Sequence, residues 1–405
     1  MTPIRALHLL KATGIAGAET HLLALLPALR EFDVTSALLI MEDPRLPQGE
    51  FAARAEAAGV PTARVPIAAH IDPFVVRRLR RAISELGQRG PGGAPFDLLH
   101  AHLPHGEVYG VQAVRAFPRM HFLITRHSDD RFRRSRLLRP VFAPSLQRAE
   151  RIIAISHAVA RSIMALEGVP SEKIEVIHYG LAGRAFAGTA SRGSLRAKLG
   201  LSDEPLIGFV GRMVTEKGVD VLLRAFAEVV RVIPRAHLAL AGDGRLMGEM
   251  RATAGSLGLA RAHFLGWRGD IASFMADVDV LAVPSRSEGF GLVVLQAMAL
   301  ARPVVASRVT ALPEIVEPGQ TGTLVPPDDP ASLARALTEI LQSVDRGAAL
   351  GRAGRSRLER EFTLERMAKS TARLYRDVCR QPRAQEPTEK GQLPLAPTLT
   401  HPPSL

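Results

Sequence analysis

Hydrophobic residues in the first half of the chain form short runs, and helical patterns or loops separate one run from the next. These runs lie at residues 4–10, 34–41, 98–100, 121–125, 152–156 and 174–178. Short apolar runs with β-branched residues are typical of strands that are buried in a parallel sheet. Their alternation with helical stretches predicts a parallel sheet that carries helices on both faces.

A second series of runs follows a change in composition. Residues 180–200 are rich in Gly, Ala, Arg and Ser, which indicates a linker and a short helix. Further strand-like runs lie at 206–210, 237–241, 263–265, 278–283 and 304–306. The pattern therefore predicts an α/β protein with two Rossmann-like domains, residues 1–183 and 184–361, that face each other across a cleft.

The C-terminal part of the chain contains two segments of different composition. Residues 362–380 have a helical pattern of apolar positions. Residues 381–405 are Pro-rich and contain no aromatic side chain, which predicts a disordered tail.

The most informative stretch is residues 284–298, with the sequence PSRSEGFGLVVLQAM. It follows a predicted buried strand and combines a Gly-rich turn with an apolar helix. Backbone N–H groups and the positive helix end then point out of the sheet at its ligand-binding edge. Gly289 and Gly291 permit a ligand to approach the backbone closely. Since Glu288 will not bind phosphate there, we expect it to accept hydrogen bonds from hydroxyl groups, as a sugar nucleotide site requires.

This stretch resembles the E-x7-E signature of the retaining glycosyltransferases of GT-B fold, family 4 type. The family's first Glu contacts hydroxyls of the donor sugar and its second contacts the ribose. The resemblance implies these roles for Glu288 and for Gln296, which stands where the family has the second Glu. The apolar helix predicts a buried Gln296 amide, and the structural alternative is that this amide ties down a neighbouring backbone group. It also implies that residues 362–380 cross back onto the first domain. The implied nucleotide-binding turn comprises Gly289, Phe290, Gly291 and Leu292.

Two cations follow the predicted strand 206–210. Arg212 comes directly after Gly211, and Lys217 follows five residues later. Both cations can converge on one pyrophosphate, although a solvated pair at a strand end is the alternative. The run GRMVTEKG is similar to the family's GR…KG motif, whose cations neutralise the departing diphosphate.

Other runs add weaker signals for the nucleotide. Gly242 and Gly244 resemble a family turn near the nucleotide, and Trp267 lies in a family-like run that borders the base. A purely structural turn is the alternative for each of them. Gly17 lies in a loop similar to the family's diphosphate-contacting loop. Glu19 in the same loop is expected to contact the acceptor or to cap the following helix.

Histidines collect at predicted strand ends in the first domain. His100, His102 and His127 follow or end strands there, where ligand groups gather in parallel sheets. We interpret His100 as a packing or capping residue, and both a structural and a functional role stay open for His102. His127 matches a family position whose imidazole hydrogen-bonds the donor sugar, and the resemblance implies that catalytic role beside Glu288, Arg212 and Lys217.

The charge of the chain favours anionic partners. The 405 residues carry a formal net charge of +12, which a codon bias toward Arg would also produce. Only 5% of residues are aromatic, so stacking platforms for nucleic acid are scarce and no nucleic acid partner is expected. A basic segment contains Arg131, Arg133, Arg134, Arg136 and Arg139. We expect this segment to lie on an anionic membrane face or to bind an anionic acceptor, and a merely solvated basic surface is the alternative.

The remaining sequence features exclude several classes of site. The single cysteine, Cys379, excludes an internal disulfide and a Cys-rich metal site. No uninterrupted apolar stretch of about 18 residues is present, so we expect a cytoplasmic protein, free or at the inner face of the membrane. The pairs 129–130 and 328–329 are interpreted as turn residues. Because protein cations suffice for a diphosphate, neither a metal nor another cofactor is expected.

Together, these features and the resemblance predict a hexosyltransferase-like, retaining enzyme. It would move a sugar from a nucleotide-diphosphate sugar to a glycan or lipid-linked acceptor, in cell-surface polysaccharide or lipopolysaccharide biosynthesis. Two alternatives stay open. One is a sugar-nucleotide epimerase or hydrolase, and the other is a non-catalytic scaffold or anionic-polymer-binding protein of the same shape.

Overall fold

The computed structural model describes residues 3–67, 72–89, 94–128, 131–135 and 137–380. The predicted disordered tail, residues 381–405, lies outside this part of the chain. Within the described part, no helix combines the length and the apolar character that crossing a bilayer requires.

Seven parallel strands form the first sheet in the order β3–β2–β1–β4–β5–β6–β7. The strands are β1 Ile4–Lys11, β2 Val34–Glu42, β3 Thr62–Pro66, β4 Leu98–His102, β5 His121–Arg126, β6 Arg151–Ala154 and β7 Ile174–Val176. The helices are α1 Gly17–Ala28, α2 Gly49–Ala57, α3 Val75–Arg89, α4 Leu103–Val114, α5 Arg139–Arg148 and α6 His157–Glu167.

Six parallel strands form the second sheet in the order β10–β9–β8–β11–β12–β13. The strands are β8 Leu206–Val210, β9 His237–Ala241, β10 Ala262–Gly266, β11 Val280–Val283, β12 Val304–Ser307 and β13 Thr323–Val325. The helices are α7 Gly183–Gly188, α8 Ser194–Leu199, α9 Val219–Val232, α10 Met247–Ser256, α11 Ile271–Asp277, α12 Leu292–Ala299, α13 Leu312–Ile315, α14 Pro330–Gln342, α15 Val344–Glu361 and α16 Leu364–Arg380. The predicted α/β architecture with two parallel sheets is confirmed.

Burial of their side chains explains why the central strands could be predicted from the sequence. Leu7, Leu9 and Leu10 of β1 are fully buried between helices on both faces of the sheet. Burying a leucine side chain contributes roughly 1.5–3 kcal/mol, so a run of them favours the centre of a covered sheet. The edge strand β3 was missed because only one of its five residues, Val65, is buried. The three-residue strand β13 was also missed, and the linker contains two short helices instead of one.

Strand order reverses once in each sheet, between β1 and β4 and between β8 and β11. Loops that leave neighbouring strands in opposite directions open a crevice at the carboxyl end of such a sheet. The loop that begins at Gly211 leaves β8, and the loop that carries Glu288 leaves β11. The predicted donor-binding residues therefore lie beside the reversal point of the second sheet.

Helix α16 packs against the first domain. It contacts α1 and the turn Leu29–Phe32, and Tyr375 Oη lies 2.5 Å from His100 Nδ1. The segment leading into α16 meets the interdomain linker backbone to backbone, because a Cβ on Gly180 would lie 2.2 Å from the carbonyl oxygen of Thr363. A side chain at position 180 would force these two crossing segments apart.

Glu314 of the second domain joins the two domains at a helix end. Its carboxylate accepts hydrogen bonds from the backbone N–H groups of His157 (2.8 Å) and Ala158 (2.7 Å), the first residues of α6. The ring of His178 lies 3.1 Å from the same carboxylate. Desolvation raises the pKa of Glu314, but these hydrogen bonds together hold it below its ordinary value. The carboxylate thus acts as an N-terminal cap supplied by the opposite domain.

We expect Glu314→Gln to destabilise the protein by about 1 kcal/mol at pH 7, because loss of a helix cap costs about 0.5–2 kcal/mol. The pKa of Glu314 is lower in the folded protein than in the unfolded chain, so its contribution is present above the unfolded value and is lost as the pH falls through the folded value. Denaturant unfolding from pH 7 to pH 3 measures the difference, which should shrink below about pH 4.5. Glu339→Gln removes an exposed carboxylate as a control. A difference that did not change with pH would contradict a charged cap.

Candidate functional site

An ion pair lies at the reversal point of the second sheet. Lys217 Nζ lies 2.5 Å from Glu288 Oε1, and only 21% and 9% of the two side chains are exposed. Lys217 ends the short helical turn Thr215–Lys217 after β8, and Glu288 lies in the turn between β11 and α12. The two residues that were predicted to bind diphosphate and sugar hydroxyls are therefore in direct contact.

The Glu288 turn is fixed by its neighbours. The hydroxyl of Ser285 donates to Glu288 Oε1 at 2.9 Å. The backbone N–H of Glu288 donates to Thr310 Oγ1 at 2.8 Å, and the Thr310 hydroxyl donates to the Glu288 carbonyl oxygen at 2.6 Å. The carboxylate is thereby held in place before any ligand arrives, which is the arrangement that a precise binding site requires.

Arg286 fastens the Lys217 turn to the Glu288 turn. Its guanidinium makes a paired contact with both carboxylate oxygens of Asp220, at 2.9 and 2.8 Å, and donates to the carbonyl oxygen of Thr215 at 2.8 Å. Its backbone N–H donates to the carbonyl oxygen of Glu216 at 2.8 Å. Paired Arg–carboxylate contacts set geometry as well as energy, so Arg286 determines where Lys217 lies.

Glycine allows the backbones around the site to touch. A Cβ on Gly289 would lie 2.2 Å from the carbonyl oxygen of His127 in the first domain, and one on Gly242 would lie 1.8 Å from that of Gly211. Real Cβ atoms do not come this close, so both positions require glycine. Gly289 thus brings the Glu288 turn directly against the end of β5.

The other predicted nucleotide contacts lie in different environments. Gly244 follows β9, and Gly291 is the N-cap of α12, whose first residue is the half-buried Leu292. Trp267 follows β10 and is 58% exposed. Gly17 is exposed at the start of α1.

Phe290 lies in the predicted turn between β11 and α12, with its side chain buried. Its side chain is 2% exposed, with ring centroids 5.6 Å from His178, 5.3 Å from Tyr179 and 6.0 Å from Phe362. The ring therefore packs between the two domains. The implied place of Phe290 in the nucleotide-binding turn stays a prediction, which its backbone would fulfil.

Gln296 is half-buried on α12, although its apolar neighbours predicted a fully buried amide. Among the described residues, no hydrogen bond reaches its side chain. The structural alternative, in which the amide ties down a nearby backbone group, therefore has no contact to support it.

In the first domain, Glu19 faces the second domain but also caps its own helix. Its side chain is buried, and Oε2 accepts a hydrogen bond from the Ala16 N–H at 3.1 Å. Desolvation raises the pKa of Glu19, while its backbone hydrogen bonds and the nearby charge of Arg212 oppose that shift. Arg212 itself is exposed at the cleft.

Both ring nitrogens of His127 are already engaged by protein groups. Its Nε2 lies 3.0 Å from His102 Nδ1, and its Nδ1 contacts the hydroxyl of Tyr179. His100, which we interpreted as a packing residue, is buried between Tyr375 and Thr125. The implied role of the His127 imidazole as a partner of the sugar stays a prediction, and it requires the ring to exchange one of these contacts for the sugar hydroxyl.

The arginine segment is not uniformly exposed. Arg133 is buried, with NH2 2.9 Å from Glu107 Oε1 and its guanidinium 4.0 Å from the centre of the Phe142 ring. Arg139 is exposed. The interpretation of the whole segment as a membrane-facing basic surface is therefore wrong for Arg133, because charge pairing with buried acids draws it inward. Arg136 lies outside the described residues.

Comparison with known families assigns both halves of the chain. The family described as Glycosyltransferase Family 4 matches residues 15–182, and that described as Glycosyl transferases group 1 matches residues 204–343. The chain belongs to the group 1, family 4 type of glycosyltransferases. The sequence resemblance is thereby confirmed at the level of the family.

Individual relatives of this family member match it over part of their length. A GDP-mannose-dependent alpha-(1-6)-phosphatidylinositol monomannoside mannosyltransferase of Mycolicibacterium smegmatis is 34% identical over 216 residues, covering 50% of this chain and 56% of the relative. A D-inositol 3-phosphate glycosyltransferase of Mycobacterium bovis is 34% identical over 253 residues, covering 60% of this chain and 52% of the relative. The match thus spans little more than half of each relative.

Solved structures share the fold of this family member. HepE of Anabaena in complex with UDP-glucose has a TM-score of 0.78 at 23% identity, covering 92% of this chain and all of that one. Sucrose-phosphate synthase of Thermosynechococcus elongatus has a TM-score of 0.74 at 24% identity, covering 92% and 98%. The predicted GT-B fold is confirmed.

Sequence reasoning missed several residues that shape the site of this family member. Arg286 lies in the turn that we singled out, but its partner Asp220 is 66 residues away. Thr310 and Tyr179 also act through distant contacts. The only available signal was the position of Arg286 between the strand and Glu288.

We expect Arg286→Ala to release the Lys217 turn, because the contacts to Thr215 and Asp220 disappear. Backbone hydrogen exchange in a peptide that spans residues 212–222 should accelerate about tenfold, corresponding to ~1.4 kcal/mol. Arg286→Lys should recover only part of the protection, since an ammonium cannot make the paired contact. Arg335→Ala, which removes an exposed arginine on α14, is the control. Unchanged exchange in Arg286→Ala would show that the turn is held by other contacts.

Proposed function

We propose that the protein is a glycosyltransferase that moves a sugar from a nucleotide-diphosphate sugar to a glycan or lipid-linked acceptor, with retention of configuration. The contact between Lys217 and Glu288 carries this proposal. A single ligand that presents a diphosphate to the cation and hydroxyl groups to the carboxylate matches both partners. Sugar nucleotides are the class of ligand with both features.

The residues divide into two groups with different tasks. Lys217 and Arg212 would stabilise the negative charge that develops on the departing diphosphate, which is where a cation lowers a barrier most. Glu288 would hold the sugar through its hydroxyls, and Gln296 would accept a ribose hydroxyl. The acceptor would enter from the first domain, beside Glu19. A role in cell-surface polysaccharide or lipopolysaccharide biosynthesis rests on the resemblance, and the glycolipid named for one relative, phosphatidylinositol monomannoside, supports a lipid-linked acceptor.

Two rival functions make different predictions. A scaffold or anionic-polymer-binding protein would be stabilised by polyanions such as oligonucleotides, and by no particular sugar nucleotide. An epimerase or hydrolase would consume the sugar nucleotide without an acceptor. Thermal unfolding against a panel of UDP-, GDP- and ADP-sugars, followed by product analysis with and without acceptor, separates the three classes.

We expect two variants to change donor use in opposite directions. Lys217→Ala should lower kcat/KM by roughly 10²-fold, since such contacts are worth ~3 kcal/mol at a developing charge. Gln296→Glu should lower the donor KM by up to about tenfold with little change in kcat, because a carboxylate accepts stronger hydrogen bonds from the ribose than an amide. Steady-state kinetics with varied donor measures both effects.

The controls for this series use the same charge changes elsewhere. Lys369→Ala removes a cation from α16, and Gln320→Glu adds a carboxylate in an exposed turn. Near-normal transfer by Lys217→Ala would remove that residue from the donor site. Destabilisation by Gln296→Glu with unchanged donor affinity would assign the amide a structural role.

We further propose that an exposed apolar and basic surface docks on anionic membranes. Phe132, Leu137 and Val141 are 45%, 88% and 46% exposed, and Arg139 is exposed among them. An arginine near an anionic bilayer adds about 1 kcal/mol, and an exposed leucine can enter the headgroup region.

Liposome sedimentation tests this docking surface. Binding should rise with the fraction of anionic lipid and fall with salt, because charge screening weakens the attraction. Leu137→Ser and Arg139→Ser should each weaken binding several-fold, whereas Val344→Ser, which removes a 77% exposed apolar residue of the second domain, should not. Equal sedimentation with neutral and anionic liposomes would exclude a membrane role for this surface.

A further inference from the structure

A line of buried histidines crosses the first sheet beneath α16. His8 of β1 pairs in register with His100 of β4, and His102 lies two residues further on the same face of that strand. All three are at most 1% exposed. His127 follows β5 and continues the line toward the cleft.

The contacts of this line form one unbranched path. His8 Nδ1 lies 3.0 Å from His102 Nε2, and His102 Nδ1 lies 3.0 Å from His127 Nε2. At the outer end, His127 Nδ1 contacts the hydroxyl of Tyr179, which is 5% exposed and lies near Glu19. At the inner end, His8 Nε2 is buried and has no hydrogen-bond partner among the described residues.

The protonation state of the rings limits how hydrogen atoms can be placed on the path. Burial lowers the pKa of His8 and of His127 to about 3, and it lowers the pKa of His102 well below its ordinary value. Each ring is therefore neutral at pH 7 and carries one N–H and one lone pair. Only two placements of the hydrogen atoms give every contact of this path one donor and one acceptor.

The two placements differ at the inner end. In the inward placement, each group donates to its neighbour in the direction from Tyr179 to His8. The path then ends in an Nε2–H of His8 that has no acceptor. In the outward placement, each group donates in the direction from His8 to Tyr179. Only the lone pair of His8 Nε2 is then unpaired at the inner end, and the Nδ1–H of His127 donates to the oxygen of Tyr179. The outward placement leaves the hydroxyl hydrogen of Tyr179 without an acceptor among the described residues, but Tyr179 is 5% exposed whereas His8 is 0% exposed. A donor without an acceptor is rarest where burial is complete, which favours the outward placement.

We propose that His8, His102 and His127 form a directional relay of hydrogen bonds that leaves the hydroxyl hydrogen of Tyr179 free for a ligand oxygen in the cleft. Tyr179 is held for this task because its ring stacks on His21, with centroids 4.3 Å apart, and packs against Phe290. Desolvation and the charge of Glu19 raise the pKa of Tyr179, so the phenol stays protonated and acts as a donor. The identity of the ligand as a sugar nucleotide or its acceptor rests on the proposed function, whereas the direction of the relay does not.

A metal ion is the competing occupant of the same cluster. One ligand nitrogen from each of His8, His100 and His102 lies within 4.8 Å of the others. The nitrogens of His100, however, already contact Tyr375 Oη at 2.5 Å and Thr125 Oγ1 at 2.6 Å. A bound metal would have to break one of these contacts and one contact of the relay.

Long-range proton–nitrogen NMR of protein labelled with ¹⁵N-histidine tests the direction of the relay. At pH 7 we expect His8, His102 and His127 to be neutral with hydrogen on Nδ1. Signals are assigned by their loss in His8→Asn, His102→Asn and His127→Asn. If a variant does not fold, the buried rings are recognised because they remain neutral down to pH 5, and His21→Asn and His100→Asn identify the two buried rings outside the relay. Hydrogen on Nε2 of His102 or His127, a charged ring at pH 7, or one equivalent of bound metal by elemental analysis would overturn the relay.

A pair of tyrosine variants tests the free hydroxyl. Tyr179→Phe should lower kcat at least ~10-fold and change the donor KM less than about twofold, because the lost hydrogen bond acts on the reacting groups. Tyr375→Phe removes another hydroxyl that contacts a buried histidine outside the relay, and it should leave the Nδ1–H state of His102 and His127 unchanged. Normal kcat in Tyr179→Phe would overturn the donation to ligand. If no sugar nucleotide is used at all, the proposed function fails while the NMR result still decides the relay.

Discussion

Close backbone contact between the domains is the constraint on which the rest of the structure depends. At Gly180 and at Gly289, the backbone of one segment lies where a Cβ atom would otherwise be. These contacts bring the carboxyl edges of two independent parallel sheets together, and Glu314 adds a helix cap across the same boundary. The Glu288 turn touches the first domain only because position 289 has no side chain.

The sequence predicted elements whose stabilisation is local. β11 is a continuous apolar run, and β1 is apolar between Leu7 and Leu10 except at His8. The strand–turn–helix unit around Glu288 is contiguous in sequence, so its architecture was visible before its structure. By contrast, β3 is an edge strand with a single buried residue and leaves no comparable pattern. The periodicity of apolar residues reveals which face of a strand or helix is buried. It reveals little about an element, such as β3, that buries almost no side chains.

Site details were missed where the partner is distant in sequence. Five arginines close in sequence indicated a basic surface. Arg133 nevertheless points inward, because it pairs with Glu107, which is 26 residues away in sequence. His127 was correctly located at a strand end, yet its ring is committed to His102 and to Tyr179, which lies 52 residues further along the chain. Phe290 was read as part of a binding turn, and the opposite domain supplies the rings that bury it. Each of these outcomes depends on residues that are distant in sequence, and that of Phe290 also depends on how the two domains meet.

The pairing of Lys217 with Glu288 has a consequence for selectivity among the anions of a cell. A free lysine at this position would attract inorganic phosphate, polyphosphate or any abundant nucleotide. Because the carboxylate already neutralises the ammonium, an anion without hydroxyl groups near its terminal phosphate must compete with Glu288 and leave that carboxylate beside its own negative charge. A ligand that occupies both partners avoids this repulsion. In the proposed donor site, the ion pair would therefore disfavour phosphates that cannot also bind the carboxylate through hydroxyl groups.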